Sequence, residues 1–250
     1  MTMLMRNQFA KCRLCHRMLG KRQMTNHLKA CWEQHTMTVP GKATPRWFHL
    51  VVEARYAPDY WMHLQAPADC TFGDLDSLLR AIWLECCGHM SAFEFPVQRR
   101  PHRRAAPRDI AAMVEELLRE AQPPFSDDDA SGDAVMDKRL GSKLKPGVVF
   151  SHQYDFGTTT DLALRVAGEY TAPALRGALK LLARNEPPAI PCSVCTKPAT
   201  QLCQQCVEEG AGELCNACAG QHDCGEEMLV PLINSPRTGV CGYCGPSVEP

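Results

Sequence analysis

Long apolar runs are missing. No stretch of the 250 residues approaches the roughly 18 apolar residues of a membrane helix. The opening MTMLMRNQFAKCRLC lacks the apolar h-region of a secretory signal. Net charge is nearly absent as well: 27 lysines and arginines face 28 aspartates and glutamates, leaving −1 with neutral histidines. This excludes a generally basic nucleic-acid binder and moves the question to local charge distribution. Catalytic signatures are scarce. Tyr154-Asp155-Phe156-Gly157 has no glycine-rich phosphate loop or His-Arg-Asp loop to accompany it, so a kinase is excluded. Asp127, Asp128, Asp129, Asp133 and Asp137 lack the alternation and glycine spacing of a calcium loop and read as a solvated linker. No nucleophile, base and orienting group fall in a recognisable order.

Cysteine is abundant: there are fifteen. Knuckle spacing in a chain with no secretory signal points to thiolate–metal ligation in a reducing cytoplasm rather than to disulfides. The densest stretch is CSVCTKPATQLCQQCVEEGAGELCNACAGQHDC, residues 192–224. It holds the pairs Cys192/Cys195, Cys203/Cys206 and Cys215/Cys218, and ends on His222/Cys224. A Cys-x-x-Cys turn sets two sulfurs on one side of the chain, as one tetrahedral ion requires. Large apolar residues are few, so metal binding supplies the folding energy of this segment. The expected arrangement is a cross-brace. Cys192, Cys195, Cys215 and Cys218 take one zinc; Cys203, Cys206, His222 and Cys224 take the other. Cys241 and Cys244 form a further knuckle, read either as a partial site or as substitutes for His222 or Cys224.

A second motif opens the chain: Cys12-x-x-Cys15, then His27 and Cys31. His27 and Cys31 stand four apart, so on a helix they share a face. A Cys-Cys-His-Cys finger follows, with His16 and His35 as lesser candidates. Zinc is therefore the expected cofactor, three ions in all, and ten bound thiolates would take the net charge to about −5. The finger is locally basic. Arg6, Lys11, Arg13, Arg17, Lys21, Arg22 and Lys29 all precede the first acid, Glu33. Seven cations without an acid can neutralise phosphates, and Arg13, Arg17, Lys21, Arg22 and Lys29 are the candidate nucleic-acid contacts. The competing reading is a solvated surface, or a face that docks elsewhere on the chain. Arg99, Arg100, Arg103, Arg104 and Arg108 make a second basic patch, read as a solvated loop.

Between the metal motifs lies a domain with alternating strands. Residues 46–54 and 60–66 pair around a Pro58-Asp59 turn. Thr71 to Asp74 forms a capping box before a helix carrying Leu75, Leu78, Leu79 and Ile82. Cys86 and Cys87 are read as buried thiols. Met90 to Phe95 is a short strand and Ile110 to Ala121 an amphipathic helix. Residues 148–156 and 161–166 form a hairpin. A final helix is expected from Thr171 to Arg184, burying Leu175, Leu179 and Leu182. The fold class is α+β: a mixed, mostly antiparallel sheet with packed helices, flanked at both ends by small zinc-finger modules. The divisions are 1–38, 46–186 with an acidic linker near 123–137, and 190–250.

Several of these segments resemble known families. Tyr60-Trp61-Met62-His63-Leu64, Phe72-Gly73-Asp74-Leu75-Asp76, Ile82 to Phe93 and the Tyr154-Asp155-Phe156-Gly157 hairpin resemble the plasmid pRiA-four-b ORF-three-like family. The resemblance spans about residues 46–170, and Asn234 to Tyr243 looks like the ending of its zinc-bearing members. It implies an α+β domain and occurrence on plasmids and mobile elements, but no reaction. The cross-brace resembles B-box and MYND fingers, and its His-x-Cys ending resembles AN-one fingers. These features converge on a zinc-binding, non-catalytic protein whose basic finger binds DNA or RNA, with no membrane partner. One alternative is a protein-interaction adaptor using the B-box-like module. Another is an enzyme with a site around Glu85, His89 and Tyr154-Asp155, drawing also on His63 and His152.

Overall fold

The computed structural model describes residues 9–36, 46–96, 135–171 and 179–246. The Arg99–Arg108 patch, the expected helix at 110–121 and the aspartate run at 127–133 lie outside the described residues.

Eleven strands and four helices make up the described parts. In chain order they are β1 Phe9–Lys11, β2 Met18–Gly20, α1 Lys21–Thr36, β3 Arg46–Ala54, β4 Trp61–Pro67 and α2 Phe72–Leu79. There follow β5 Ser91–Glu94, α3 Leu140–Lys143, β6 Val149–Tyr154, β7 Thr160–Thr171 and β8 Lys180–Arg184. The last are β9 Gln201–Cys203, β10 Glu213–Leu214, α4 Asn216–Ala219 and β11 Leu229–Pro231. A six-stranded antiparallel sheet in the order β5-β6-β7-β3-β4-β8 forms the centre. The finger adds a β1-β2 ribbon and the cross-brace a β10-β9-β11 sheet. The class is thus α+β with mostly antiparallel strands and Cys/His clusters near both ends.

Strands β3 and β4 are buried on both faces. Side chains alternate along a strand, so Phe48, Leu50, Val52, Met62 and Leu64 point to one side and join Phe72, Leu75 and Leu79 of α2 in the main core. On the other side, Trp61 meets Met24, Leu28 and Cys31 of α1 with Leu182 and Ala183 of β8, and Trp47 packs with Trp32. The finger is therefore seated on the sheet. The Arg13 amide donates to Leu182 O at 2.8 Å and the Glu186 amide to Phe9 O at 2.8 Å.

α2 starts as expected. The Asp74 amide donates to Thr71 Oγ1 at 3.1 Å, and the Thr71 amide returns a bond to Asp74 Oδ2 at 2.8 Å. The helix then widens into a π-helical turn, Arg80–Leu84, that buries Ile82 and Trp83. This turn delivers the chain to Glu85 and the cysteines after it. The helix expected up to Arg184 is not found over its last residues: Lys180–Arg184 is strand β8, paired antiparallel to β4.

Candidate metal centres

Among the described residues, four groups of side chains could hold a metal ion, each with its candidate atoms within 4.8 Å of one another. In the finger, Cys12 and Cys15 sit on the turn between β1 and β2, while His27 and Cys31 project from α1. Cys15 Sγ lies 3.2 Å from His27 Nε2, and Cys12 Sγ 4.0 Å from Cys31 Sγ. Two sulfurs held about 2.3 Å from one ion at the tetrahedral angle stand about 3.8 Å apart. Burial, with Arg17 and His35 nearby, lowers the pKa of His27 and favours the neutral imidazole that ligation needs. His35 turns to its own helix, with Nδ1 2.7 Å from Cys31 O.

Two of the groups lie in the C-terminal segment. Cys192, Cys195, Cys215 and Cys218 form one; Cys203, Cys206, His222 and Cys224 form the other. Cys195 Sγ is 3.6 Å from Cys215 Sγ, and Cys206 Sγ is 3.5 Å from both Cys224 Sγ and His222 Nε2. The first knuckle of each module has the same shape. The amide of the residue after the second cysteine donates to the carbonyl of the first, His16 to Cys12 at 2.8 Å and Thr196 to Cys192 at 3.0 Å. Both residues take a positive φ, 63° and 62°.

Electrostatics divides the cysteines of the cross-brace groups. Although burial works the other way, backbone amides of Cys215, Cys195 and Val194 pull Cys192 down to about 6. Cys203 falls to about 7 in the same way, through the Cys206 amide and His222 despite burial. Their crowded neighbours move oppositely: Cys206 is pushed up to about 12, first by Cys224, and Cys218 to about 12, first by Cys195. Such a crowd of sulfurs loses all its protons only when a cation replaces them. All fifteen cysteines lie among the described residues and none is in a disulfide.

The fourth group was not foreseen: Cys86, Cys87, His89 and Cys241. Cys86 and Cys87 are not a buried pair as expected; Cys86 is half-buried and Cys87 exposed. They follow the π-helical turn and Glu85, at the edge of the core. Cys241 joins them from the far end of the sequence. Cys244 is not in the group and instead lines a cleft with Arg13 and Arg184, so the Cys241/Cys244 knuckle does not act as one unit.

The residues considered for catalysis divide. His63 is fully buried with Nδ1 2.8 Å from His49 Nε2. His152 is fully buried with Nε2 2.7 Å from Asp76 Oδ1. Neither reaches solvent. Glu85, Tyr154 and Asp155 instead surround the fourth metal group. Tyr154 donates to Glu85 Oε1 at 3.2 Å, and Asp155 Oδ2 stands 3.6 Å from His89 Nε2.

Of the candidate nucleic-acid contacts, Arg13, Arg17, Arg22 and Lys29 are exposed. Lys21 is partly buried; its Nζ is 2.9 Å from Glu53 and donates to Pro58 O at 3.0 Å, so it joins the finger to the β3–β4 turn. Among the described residues, no helix is long and apolar enough to cross a membrane.

No family model matches the chain, and no curated protein does. Among solved structures, it is similar to a protein of unknown function from Methanosarcina mazei Go1. That match has 16% identity over 56% of this chain and 67% of the other, with a TM-score of 0.36.

Proposed function

We propose that this is a zinc-bound, non-catalytic protein of the plasmid pRiA-four-b ORF-three-like family, working in a reducing cytoplasm and binding DNA or RNA through its N-terminal finger. Zinc is the metal that suits four-ligand groups of sulfur and imidazole on knuckle turns. The observation that carries the nucleic-acid reading is the orientation of α1. One face, Met24, Leu28, Cys31 and Trp32, is buried, and the opposite face leaves Arg22, Asn26 and Lys29 in solvent. These three lie at i, i+4 and i+7, on one stripe. A β-ribbon, a knuckle and a helix with two ligands make a ββα finger, a form whose helix enters the major groove in known complexes. Lys11, Arg13 and Arg17 on the ribbon and its knuckle add exposed cations suited to phosphate contact.

The test is fluorescence anisotropy of the zinc-loaded protein with labelled duplex DNA and RNA over a salt series. Wild-type binding should weaken steeply with salt. Arg22→Glu with Lys29→Glu should weaken it at least about tenfold and flatten the salt slope by about 2. Lys21→Gln, which removes a contact within the protein, should leave affinity nearly unchanged. No binding to either nucleic acid at the lowest salt would overturn the reading and leave the cross-brace, as a protein-interaction surface, the better account.

A further inference from the structure

We infer that Cys86, Cys87, His89 and Cys241 bind a fourth zinc ion, which staples the C-terminal segment 233–245 to the central domain. The inference rests on the same metal chemistry as the other three centres, but on none of their residues.

The geometry is that of a closed tetrahedral site. Cys87 Sγ is 3.7 Å from Cys86 Sγ and 3.6 Å from Cys241 Sγ; His89 Nε2 is 3.1 Å from Cys87 Sγ and 3.6 Å from Cys241 Sγ. The two sulfur–sulfur separations, 3.7 and 3.6 Å, lie just under the about 3.8 Å expected around one zinc. The backbone is bent to produce them. Gly88, at φ 79°, folds His89 back onto Cys87. Cys241 itself holds φ 54° between Gly239 at 77° and Gly242 at 68°. A left-handed non-glycine residue costs of order 1–3 kcal/mol and persists where its surroundings over-determine it. A Cβ on Gly239 would come within 2.3 Å of Leu202 Cδ2, so the turn that presents Cys241 also rests on the cross-brace.

Around the sulfurs lies an outer shell of the kind that orients metal ligands. Arg237 is 0% exposed. Its Nη2 donates to Asp155 Oδ2 at 2.6 Å and to Cys86 Sγ at 3.5 Å, while Nη1 donates to Thr158 O and Thr160 Oγ1, both at 3.0 Å. Three thiolates on a divalent ion leave one negative charge, and the buried guanidinium stands beside it. Asp155, at φ 65°, takes bonds from the Gly157 and Thr158 amides and from Thr158 Oγ1, which fixes its carboxylate between Arg237 and His89. Tyr154 lies between two guanidinium groups, Arg237 at 4.8 Å and Arg80 at 5.1 Å from its ring centroid.

The mechanical role follows from where the segment goes. After β11 the chain leaves the cross-brace and lies on the central domain. Ser235 Oγ donates to Trp83 O at 2.7 Å, and Asn234 Nδ2 to Asn185 O at 2.6 Å. A metal held between Cys87 and Cys241 closes this path at its far end.

Native mass spectrometry of the full chain, purified with reductant, decides the matter. Wild type should carry four zinc ions. Cys87→Ser with Cys241→Ser, and separately His89→Ala, should carry three. His89→Cys, which restores a fourth ligand, should carry four again. In His89→Ala, hydrogen exchange should rise at least about tenfold across 233–245 while 192–231 keeps its protection. Three ions in wild type, or a Cys87–Cys241 disulfide in place of the fourth, overturns the staple but leaves the other three sites standing. No tightly held zinc at all would remove those sites as well.

Discussion

His49 and His63 place two imidazoles in the layer between the sheet and the finger, where water is scarce. Their nitrogens stand 2.8 Å apart, so one proton is shared and a second has no acceptor. Burial, with Arg165 nearby, lowers His49 to about 4, and burial together with His49 holds His63 well below the ordinary imidazole range. The folded protein therefore holds the pair neutral, while the unfolded chain protonates near pH 6.5. As pH falls below 6.5 the unfolded state takes up protons first. The stabilisation is fully present above that pH and is lost progressively toward pH 4. For His49 alone the loss by pH 5 is about 2 kcal/mol. His49→Gln should reduce the acid slope by that amount in urea unfolding of the zinc-loaded protein at pH 7, 6 and 5. Release of metal in acid is common to both proteins and drops out of the difference. Parallel slopes would mean that His49 is not held neutral by burial.

At the scale of elements, α1 has two tasks, presenting His27 and Cys31 to a candidate metal centre and covering the sheet with Met24 and Leu28. Leu28 is 1% exposed and meets Trp61, Leu182 and Ala183. Leu28→Ala should cost about 2–5 kcal/mol through lost burial and a residual cavity, with all four finger ligands intact. Thermal unfolding that shows less than about 1 kcal/mol would mean the finger is not seated on the sheet. What the sequence made legible was local. Knuckle spacing, the i, i+4 pair on α1, the Thr71 capping box and the β6–β7 hairpin all depend on residues close together in the chain, and each is found. β8 was misread because Leu175, Leu179 and Leu182 keep helical spacing. Leu181 and Leu182 are both buried, on opposite faces of a sheet covered on both sides, and there the period-two signal of a strand disappears. The fourth metal group was hidden for a different reason. Cys86 and Cys241 have no spacing rule to join them, and adjacent cysteines do not form a knuckle. The available signal was a Cys241/Cys244 knuckle with no pair left to complete it, together with a Cys-Cys-Gly-His stretch lacking a partner.

Across the whole molecule, candidate metal ligands and apolar burial are concentrated in different parts. The central sheet and α2 bury a continuous core of large side chains whose buried members include no candidate ligand, with Cys86 packed at its edge. The cross-brace core is Cys192, Cys203 and Cys215 with Leu214 and Ala219, so most of what it buries is metal-ligating sulfur. The finger is intermediate, sharing Trp61, Leu182 and Ala183 with the sheet. Withdrawal of metal by a strong chelator, with reductant present to keep thiols free, should therefore act unevenly. Amides of 192–231 should lose protection from hydrogen exchange entirely, since their folding energy is binding energy. Those of β3, β4, β6 and β7 should retain most of theirs, because strands of an intact core open only near the global limit. The finger should lose its ribbon and knuckle first, and α1 should keep partial protection through its apolar seat. Restoring zinc should recover the original pattern. If the central strands lost protection in step with the cross-brace, metal centres and sheet would be one cooperative unit. The division of labour argued from their separate cores would then be wrong.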